Sequence, residues 1–572
     1  MKIPSPSLLR LAFCAAALVL SGCATQAPVD INLVALNDFH GHLDAESFSY
    51  TSVRDKTPQQ VTAGGIATLG AALQAWRAKD KDLLLVGAGD LVGASPALSS
   101  MWADEPSIAA MNLLGLRVSS VGNHEFDPGR LELLRQQNGG CVSPRPDKAC
   151  KFAPAYDGAR FTYLAANVID SASGKPFMPA YRILQAHGIK IGFIGAVLKD
   201  TASVALASGI AGLEFGDEAD AVNRVLPELR AQGVGVFVVL IHQGGHTDEN
   251  FDQPDCRDLT GPIVDIVKRL DPAIRLVISG HTHKGYTCRV DGRLVTQAEM
   301  GGHVLSRIRL RVDARSNTVQ EVSASNIVMQ EGAWPANAEL AAYLAAVKER
   351  SAALLARPVA RLAVATVGRD KSAAGESALG DLTADSVLAA TRQLGARIAF
   401  ANNGGIRKQL EAGADLVTRY GQVQAVLPFG NTLVLMDLSG AQIRALLEQQ
   451  WKKGGGAEHG DGEDGGAEAG LLQVSGGFSY RWDPRQPPGA RVQAASVMLD
   501  GVPLEDRKNY RVATNNFLAE GGDGFPLFIQ GGARLKSGIR DIDALMEYLA
   551  SADRAGKPAG SAAPAGRIVR VD

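Results

Sequence analysis

Short apolar runs bounded by polar turns recur through the first half of the chain: INLVAL, DLLLVGAG, RVSSVG, KIGFIGAV, GVFVVLI and IRLVIS. Their brevity and β-branched content predict buried strands rather than helices. Between them lie longer stretches with helical periodicity, such as GIATLGAALQAWRAK and DEADAVNRVLPELRAQ, the second stopping just before Gly233. Strands alternating with helices predict a layered α/β domain over residues 29–334. From Pro335 the pattern becomes one Ala-rich amphipathic helix, PANAELAAYLAAVKERSAALL, ended by Arg357-Pro358. Residues 335–357 therefore read as a connecting helix and hinge. A second α/β unit follows over 358–550, with helix ALGDLTADSVLAATRQLG, strands RIAFA and NTLVLMDLSG, and helix AQIRALLEQQW. Within it, residues 452–470 form an acidic, Gly-rich insertion that cannot bury a core. The Ala/Gly/Pro-rich end, 551–572, is expected to be a flexible tail.

Composition narrows the class. The 572 residues suffice for several cores, and 58 Lys+Arg against 60 Asp+Glu leave no basic field for nucleic acid. No apolar run is long enough for a spanning helix. Lys2 and Arg10 precede LAFCAAALVL and then Ser21-Gly22-Cys23, the charge and length pattern of a signal peptide over residues 1–22. LSGC also resembles the bacterial lipobox, which implies that Cys23 is acylated. Ala24 after it favours the outer membrane. The expected protein is exported and touches membrane only through that lipid. Once Cys14 leaves with the signal, Cys141, Cys150, Cys256 and Cys288 remain for disulfides, with three possible connectivities. Cys141–Cys150 with Cys256–Cys288 is the preferred one. A four-thiolate metal site lacks the paired CxxC spacing it needs.

Five of the N-terminal strands finish in potential metal ligands. INLVALNDFHGH ends in Asp38 and His40, DLLLVGAGD in Asp90, and VSSVGNHEFD in Asn123 and His124. VFVVLIHQGGH ends in His242, and LVISGHTHKG in His281 and His283. Any one of these alone reads as a turn or cap. Together they point to a site, because strand ends of an α/β sheet converge on one edge. In extended chain, positions i and i+2 point the same way, so Asp38 with His40, and His281 with His283, can each aim two ligands at one volume. Carboxylate, imidazole and carboxamide donors without thiolate suit Mn, Zn, Fe or a mixed divalent pair, and the expected cofactors are two divalent ions, Mn, Zn, Co or Mg. Seven ligands fit two ions roughly 3.5–4 Å apart better than one. Asp90, alone at its strand end, is the candidate bridge.

The order D-x-H, G-D, G-N-H-E, H, G-H-x-H resembles that of the calcineurin-like metallophosphoesterases. NDFHGH, GNHEFD and SGHTH, with a second domain, resemble the bacterial and animal 5′-nucleotidase family over about residues 31–550. That resemblance implies an N-terminal four-layer α/β/β/α sandwich joined by a helix to a second α/β domain. It places Asp38, His40, Asp90 and His283 on one divalent ion and Asp90, Asn123, His242 and His281 on the other. It also implies that His124 faces the phosphoryl group, stabilising charge and helping the leaving oxygen depart, with water attacking phosphorus in line. Asp127, three residues on, is placed to orient that imidazole. Glu125 and Phe126 read as helix-start and packing residues.

The C-terminal half supplies the substrate reading. FANNGGIRKQL offers Asn402 and Arg407, VLPFGN offers Phe429, and NNFLAEGGDGF offers Phe517 and Asp523. By the same resemblance Phe429 and Phe517 sandwich the base, Asp523 takes the ribose hydroxyls, and Arg407 and Asn402 hold phosphate or base edge. Where family members carry an arginine before the following helix, GRDKSAAGESALGDL has Ala373 and Gly375, with Arg369 and Lys371 nearest. The implied activity is cleavage of nucleoside 5′-phosphates to nucleoside and phosphate, extending to UDP-sugars or NAD. A 2′,3′-cyclic phosphodiesterase/3′-nucleotidase on the same scaffold is the alternative, and a non-catalytic surface binding protein the remote one. Oligomeric state is left open.

Overall fold

The apolar runs of the N-terminal half become strands in the computed structural model, which describes residues 27–451 and 471–571. The expected signal peptide, Cys23 and the insertion 452–470 lie outside the described residues. INLVAL falls in strand Val29–Leu36, GVFVVLI in Val236–His242, and IRLVIS is strand Ile274–Ser279. The strands form two six-stranded sheets. In the first, Val29–Leu36, Leu84–Ala88, Leu116–Ser120 and Thr162–Leu164 run parallel. In the second, Ile189–Val197, Val236–His242, Ile274–Ser279 and Arg293–Gln297 do the same.

The sheets pack face to face through one core, in which Ile31, Leu33 and Val86 meet Phe193, Val238 and Leu276. Helices Ile66–Arg77 and Glu105–Leu114 cover the outside of the first sheet, and Glu218–Ala231 and Pro262–Arg269 the outside of the second. This is the four-layer sandwich the sequence led us to expect. Local chemistry supports each layer. Asp217 caps helix Glu218–Ala231 by accepting from the Asp220 N–H at 3.0 Å, a contact worth about 1 kcal/mol. Antiparallel strands Val304–Asp313 and Thr318–Val328 extend the first sheet beyond the runs singled out by pattern. Arg307, Arg309 and Arg311 alternate there with buried Ile308, Leu310 and Val312, which masks the strand in a search for continuous apolar runs.

The connecting helix, Ala338–Leu355, is fastened to the N-terminal domain. Leu340 and Val347 join the core beneath helix Ile66–Arg77, and Trp102 donates from Nε1 to the Ser351 hydroxyl at 2.9 Å. Beyond this helix, strands Gln473–Val474, Ile398–Ala401, Asn509–Asn515, Thr432–Ser439 and Gly532–Arg540 form a five-stranded sheet in that order. Helices Ala378–Thr391 and Asp541–Arg554 pack together against it.

The expected flexible tail is a correction. Helix Asp541–Arg554 runs past residue 550, and strand Ile568–Arg570 pairs in parallel with Phe478–Trp482. Arg567 fixes that return by a two-pronged contact with Asp385, both arms at 2.8 Å. Composition suggested coil because these partners are far away in sequence. The disulfides are Cys141–Cys150 and Cys256–Cys288. No helix among the described residues is long and apolar enough to cross a membrane.

Candidate functional site

All the parallel strands of both sheets deliver their C-terminal ends to one edge, and the ligand candidates follow those ends directly. Close approach there requires glycine. A Cβ on Gly122 would lie 2.1 Å from Asp90 Oδ1, and one on Gly280 would lie 2.8 Å from the Ala88 carbonyl. The backbone then turns sharply: Asp38, His40, Asp90, His281 and His283 have φ of 49°, 46°, 52°, 80° and 56°. Left-handed conformations of this kind disfavour non-glycine residues by about 1–3 kcal/mol each and cluster at functional sites. Five of the seven candidate ligands are therefore held in a conformation they would not choose.

The side chains converge. Asp38 with His40 and His283, His40 with Asp90 and His124, and Asp38 with Asp90 and His242 form three buried or part-buried groups whose donor atoms lie within 4.8 Å of one another. His281 joins through its ring, 5.3 Å from that of His242, and its N–H, which donates to both oxygens of Asp38 at 3.0 Å. A fourth group, Glu249, Cys256 and Asp258, loses its thiol to the Cys256–Cys288 disulfide.

The donor set fits cations. His242 Nδ1 lies 2.8 Å from the Ala88 carbonyl and His40 Nδ1 2.9 Å from that of Gly93, so each neutral ring carries its proton there and turns a lone pair inward at Nε2. His242 Nε2 then meets Asp90 Oδ2 at 3.0 Å, and His40 Nε2 meets His283 Nε2 at 3.1 Å. Asn123 Oδ1 is buried without a hydrogen-bond partner. Acceptors facing acceptors in a buried volume are stable only around positive charge. The protein groups alone show the same demand. Burial pushes the Asp38 carboxyl up. Burial would also raise Asp90, but His242 and His124 outweigh it and hold Asp90 below the usual carboxylate range. Burial disfavours a charged His242, yet Asp90 and then Asp38 lift it to about 9. A proton on His242 and a divalent ion are competing answers to one excess of negative charge.

His124 stands beside this cluster, its ring 5.1 Å from that of His40. Its Nδ1 is 2.8 Å from Asp127 Oδ2, the orienting contact expected from their spacing. Burial raises the Asp127 carboxyl, although His124 pulls it back. Two further residues escaped the sequence reading. Asn37 grips Asp38: its Nδ2 donates to Asp38 Oδ2 at 2.6 Å and to the Ala298 carbonyl at 2.9 Å. Glu125 lies in the first turn of the short helix His124–Phe126, as expected, but it is fully buried with its carboxylate among backbone N–H groups, and burial followed by the Asp90 charge raises it to about 7. Little local distinguishes such a glutamate, because every partner but the Gly122 N–H comes from another strand end. Phe126 is a core residue, as expected.

The C-terminal loops face this edge. Phe429 stacks on His124, centroids 5.9 Å apart and planes 16° from parallel. Burial is the main cause of the low His40 and the raised Asp127, and the Arg407 charge adds to the first and partly offsets the second; the neighbouring Lys408 pairs with Glu46 at 2.9 Å. Ser208 donates from its N–H to Glu520 at 2.8 Å, closing the other side. Phe517 lies over Gly522, where a Cβ would come within 2.5 Å of its ring. Asn402 departs from expectation. Its amide is buried and engaged at both ends, donating to Asp523 Oδ2 at 2.7 Å and accepting from Asn515 Nδ2 at 3.0 Å, so it holds Asp523 instead of a ligand. Arg369 donates to the Arg407 carbonyl at 2.6 Å, bringing a second guanidinium to the Arg407 loop.

Comparison with known proteins agrees with this two-part site. Residues 31–285 match the calcineurin-like phosphoesterase family and residues 358–530 the 5′-nucleotidase C-terminal domain. The chain belongs to the 5′-nucleotidase family. The solved 5′-nucleotidase precursor from Thermus thermophilus is 28% identical, with a TM-score of 0.72 over 95% of this chain and 100% of that one. Among relatives, Endonuclease YhcR of Bacillus subtilis (strain 168) is 29% identical over 532 residues, 93% of this chain and 40% of that protein. The Trifunctional nucleotide phosphoesterase protein YfkN of the same organism is 26% identical over 554 residues, 91% of this chain and 34% of that protein. The chain thus spans less than half the length of these two relatives. Membership of the 5′-nucleotidase family implies divalent metal at the histidine–aspartate edge.

Proposed function

We propose that the protein is an exported, metal-dependent 5′-nucleotidase that splits nucleoside 5′-phosphates into nucleoside and phosphate. The observation that carries this reading is the stack of Phe429 on His124. An aromatic platform of the kind that binds a base lies directly on the imidazole beside the candidate metal edge. One substrate can then engage both, with its base on the C-terminal domain and its phosphate on the N-terminal one. A base–aromatic contact contributes roughly 1–3 kcal/mol and tolerates different bases, which suits a broad nucleotide substrate class.

Two divalent ions fit this reading, one on Asp38, His40, Asp90 and His283 and the other on Asp90, Asn123, His242 and His281. When bound, they would neutralise phosphoryl charge and make a water acidic enough to attack at neutral pH. The chain supplies the rest. Asp127 keeps the His124 proton balance by holding Nδ1, which leaves Nε2 as the nitrogen that stabilises the phosphoryl oxygens and protonates the departing ester oxygen. Arg407, held by Arg369 through its carbonyl, adds positive charge on the phosphate side. Asp523, steadied by Asn402, accepts from the ribose, and Phe517 offers the second aromatic face. The half-buried rings exclude water from the cleft.

UDP-sugars and NAD are further candidate substrates, since both carry phosphate beside a base. The name of YfkN, a trifunctional nucleotide phosphoesterase, favours such breadth. A 2′,3′-cyclic phosphodiesterase/3′-nucleotidase is the second reading. Phosphate release from AMP, 3′-AMP, the cyclic AMP isomers, UDP-glucose and NAD, after chelation and reloading with Mn, Zn, Co or Mg, separates them. AMP is expected to be fastest and chelated protein inactive; faster turnover of 3′-AMP or a cyclic isomer favours the second reading, and metal-independent turnover overturns both. Export agrees with the two disulfides. Acylation at Cys23 and residence at the outer membrane are tested by fatty-acid labelling and membrane fractionation, which Cys23→Ser should abolish.

A further inference from the structure

We infer that Glu125 is a positioning residue, fastening the turn that carries Asp90 to the turn that carries Asn123 and so setting the spacing of those two ligands. The inference rests on the metal-dependent reading above and extends it to a side chain that touches neither substrate nor ion. Glu125 is 0% exposed. Its Oε2 accepts from the Asp90 N–H at 2.9 Å and from the Gly122 N–H at 2.5 Å, so a single oxygen joins two strand ends. Its Oε1 accepts from the Leu91 N–H at 2.7 Å and, more loosely, from Val92 and from the Tyr163 hydroxyl, both at 3.4 Å.

The backbone explains why a carboxylate is needed there. Asp90 is left-handed, with φ of 52°, and Leu91 after it returns to negative φ. That conformation turns successive N–H groups to one side and makes a concavity that suits an anion. In this fold the anion is the protein's own Glu125. Without it, the N–H groups it collects from the two strand ends would be buried unsatisfied, and Asp90 would have no reason to stay in a disfavoured conformation. Asp90 is the residue that this arrangement aims. With its N–H held by Glu125, its Oδ1 accepts from the His124 N–H at 2.9 Å and its Oδ2 meets His242 at 3.0 Å. Space-filling alone makes a different forecast: an isosteric glutamine would serve equally well.

Glu125→Gln keeps the shape and sets an NH2 against N–H groups. Glu125→Asp keeps both acceptors and shortens their reach by one carbon. Wild type and both variants, as full chains stripped by chelation, are titrated with Co2+ by visible absorption while circular dichroism monitors folding. Glu125→Gln is expected to stay folded and to lose about 10–100-fold in affinity for at least one ion, and Glu125→Asp to recover part of that loss. Affinities within about twofold of wild type in the folded variants overturn the inference, since second-layer contacts that orient ligands shift affinity more than this. If Glu125→Gln does not fold, Glu125→Asp is judged by the same criterion. A wild-type chain that binds no Co2+ removes the metal reading itself, whereas wild-type binding with unchanged variants removes this inference alone.

Discussion

The two halves of the cleft solve opposite problems. At the N-terminal edge, acceptor faces acceptor: His40 against His283, His242 against Asp90, and Asn123 with a buried oxygen that nothing caps. In the C-terminal pocket the polar groups already satisfy one another, as Asn515, Asn402 and Asp523 do in series. The rings of Phe429 and Phe517, on loops of the same domain, stay half-buried. An edge built of unsatisfied lone pairs binds through charge and defines one chemistry. A pocket built of satisfied groups and rings binds through surface and tolerates a class of ligands. On the proposed reading, that difference would let one metal edge serve nucleotides with different bases.

The largest effect should come from the edge. Asp90→Asn is expected to lower turnover by roughly 1,000-fold, since on the proposed reading the several kcal/mol that bound metal would supply depend on this carboxylate, while adenosine binding stays unchanged. Near-normal turnover and metal content would remove Asp90 from that role. His124→Ala should follow, with a kcat loss of about 100-fold or more and metal content retained. A loss confined to KM would reassign His124 to substrate binding.

Phe429→Ala probes the other half. Loss of one stack should weaken nucleoside binding by about 1–3 kcal/mol and leave metal content untouched. Loss of metal in this variant would show that the halves are not separable. The last effect concerns pH and the C-terminal domain alone. Burial raises the Asp541 carboxyl from an ordinary 3.8 to about 7, so the folded chain binds a proton there that the unfolded chain releases. Stability should therefore fall as pH rises from about 4 to about 7, by on the order of a few kcal/mol. Urea midpoints at several pH values check this, and Asp541→Asn should flatten that part of the curve. An unchanged slope would mean the carboxyl is ionised throughout.

Much of this was legible before any coordinates. Apolar runs located six of the eight parallel N-terminal strands to within a residue or two, missing Thr162–Leu164 and Arg293–Gln297, and the residues following them offered the candidate ligands, because both signals are local. Residues that act through distant partners were illegible: Glu125 through the Asp90 turn, Asn37 through Ala298, and Arg567 through Asp385. Asn402 was read as a ligand contact because a polar side chain beside glycines looks exposed. In the fold Asp523 and Asn515 close over it.

The sequence by itself determined the order of strands and helices, the two-domain plan and the identity of the chemical groups offered to a metal, since periodicity and motif spacing are properties of neighbouring residues. The tertiary structure alone decided which lone pairs face one another, which backbone turns are held left-handed, and that Phe429 lies on His124. Those facts depend on segments tens to hundreds of residues apart meeting at one sheet edge, and no local pattern encodes a distance between them.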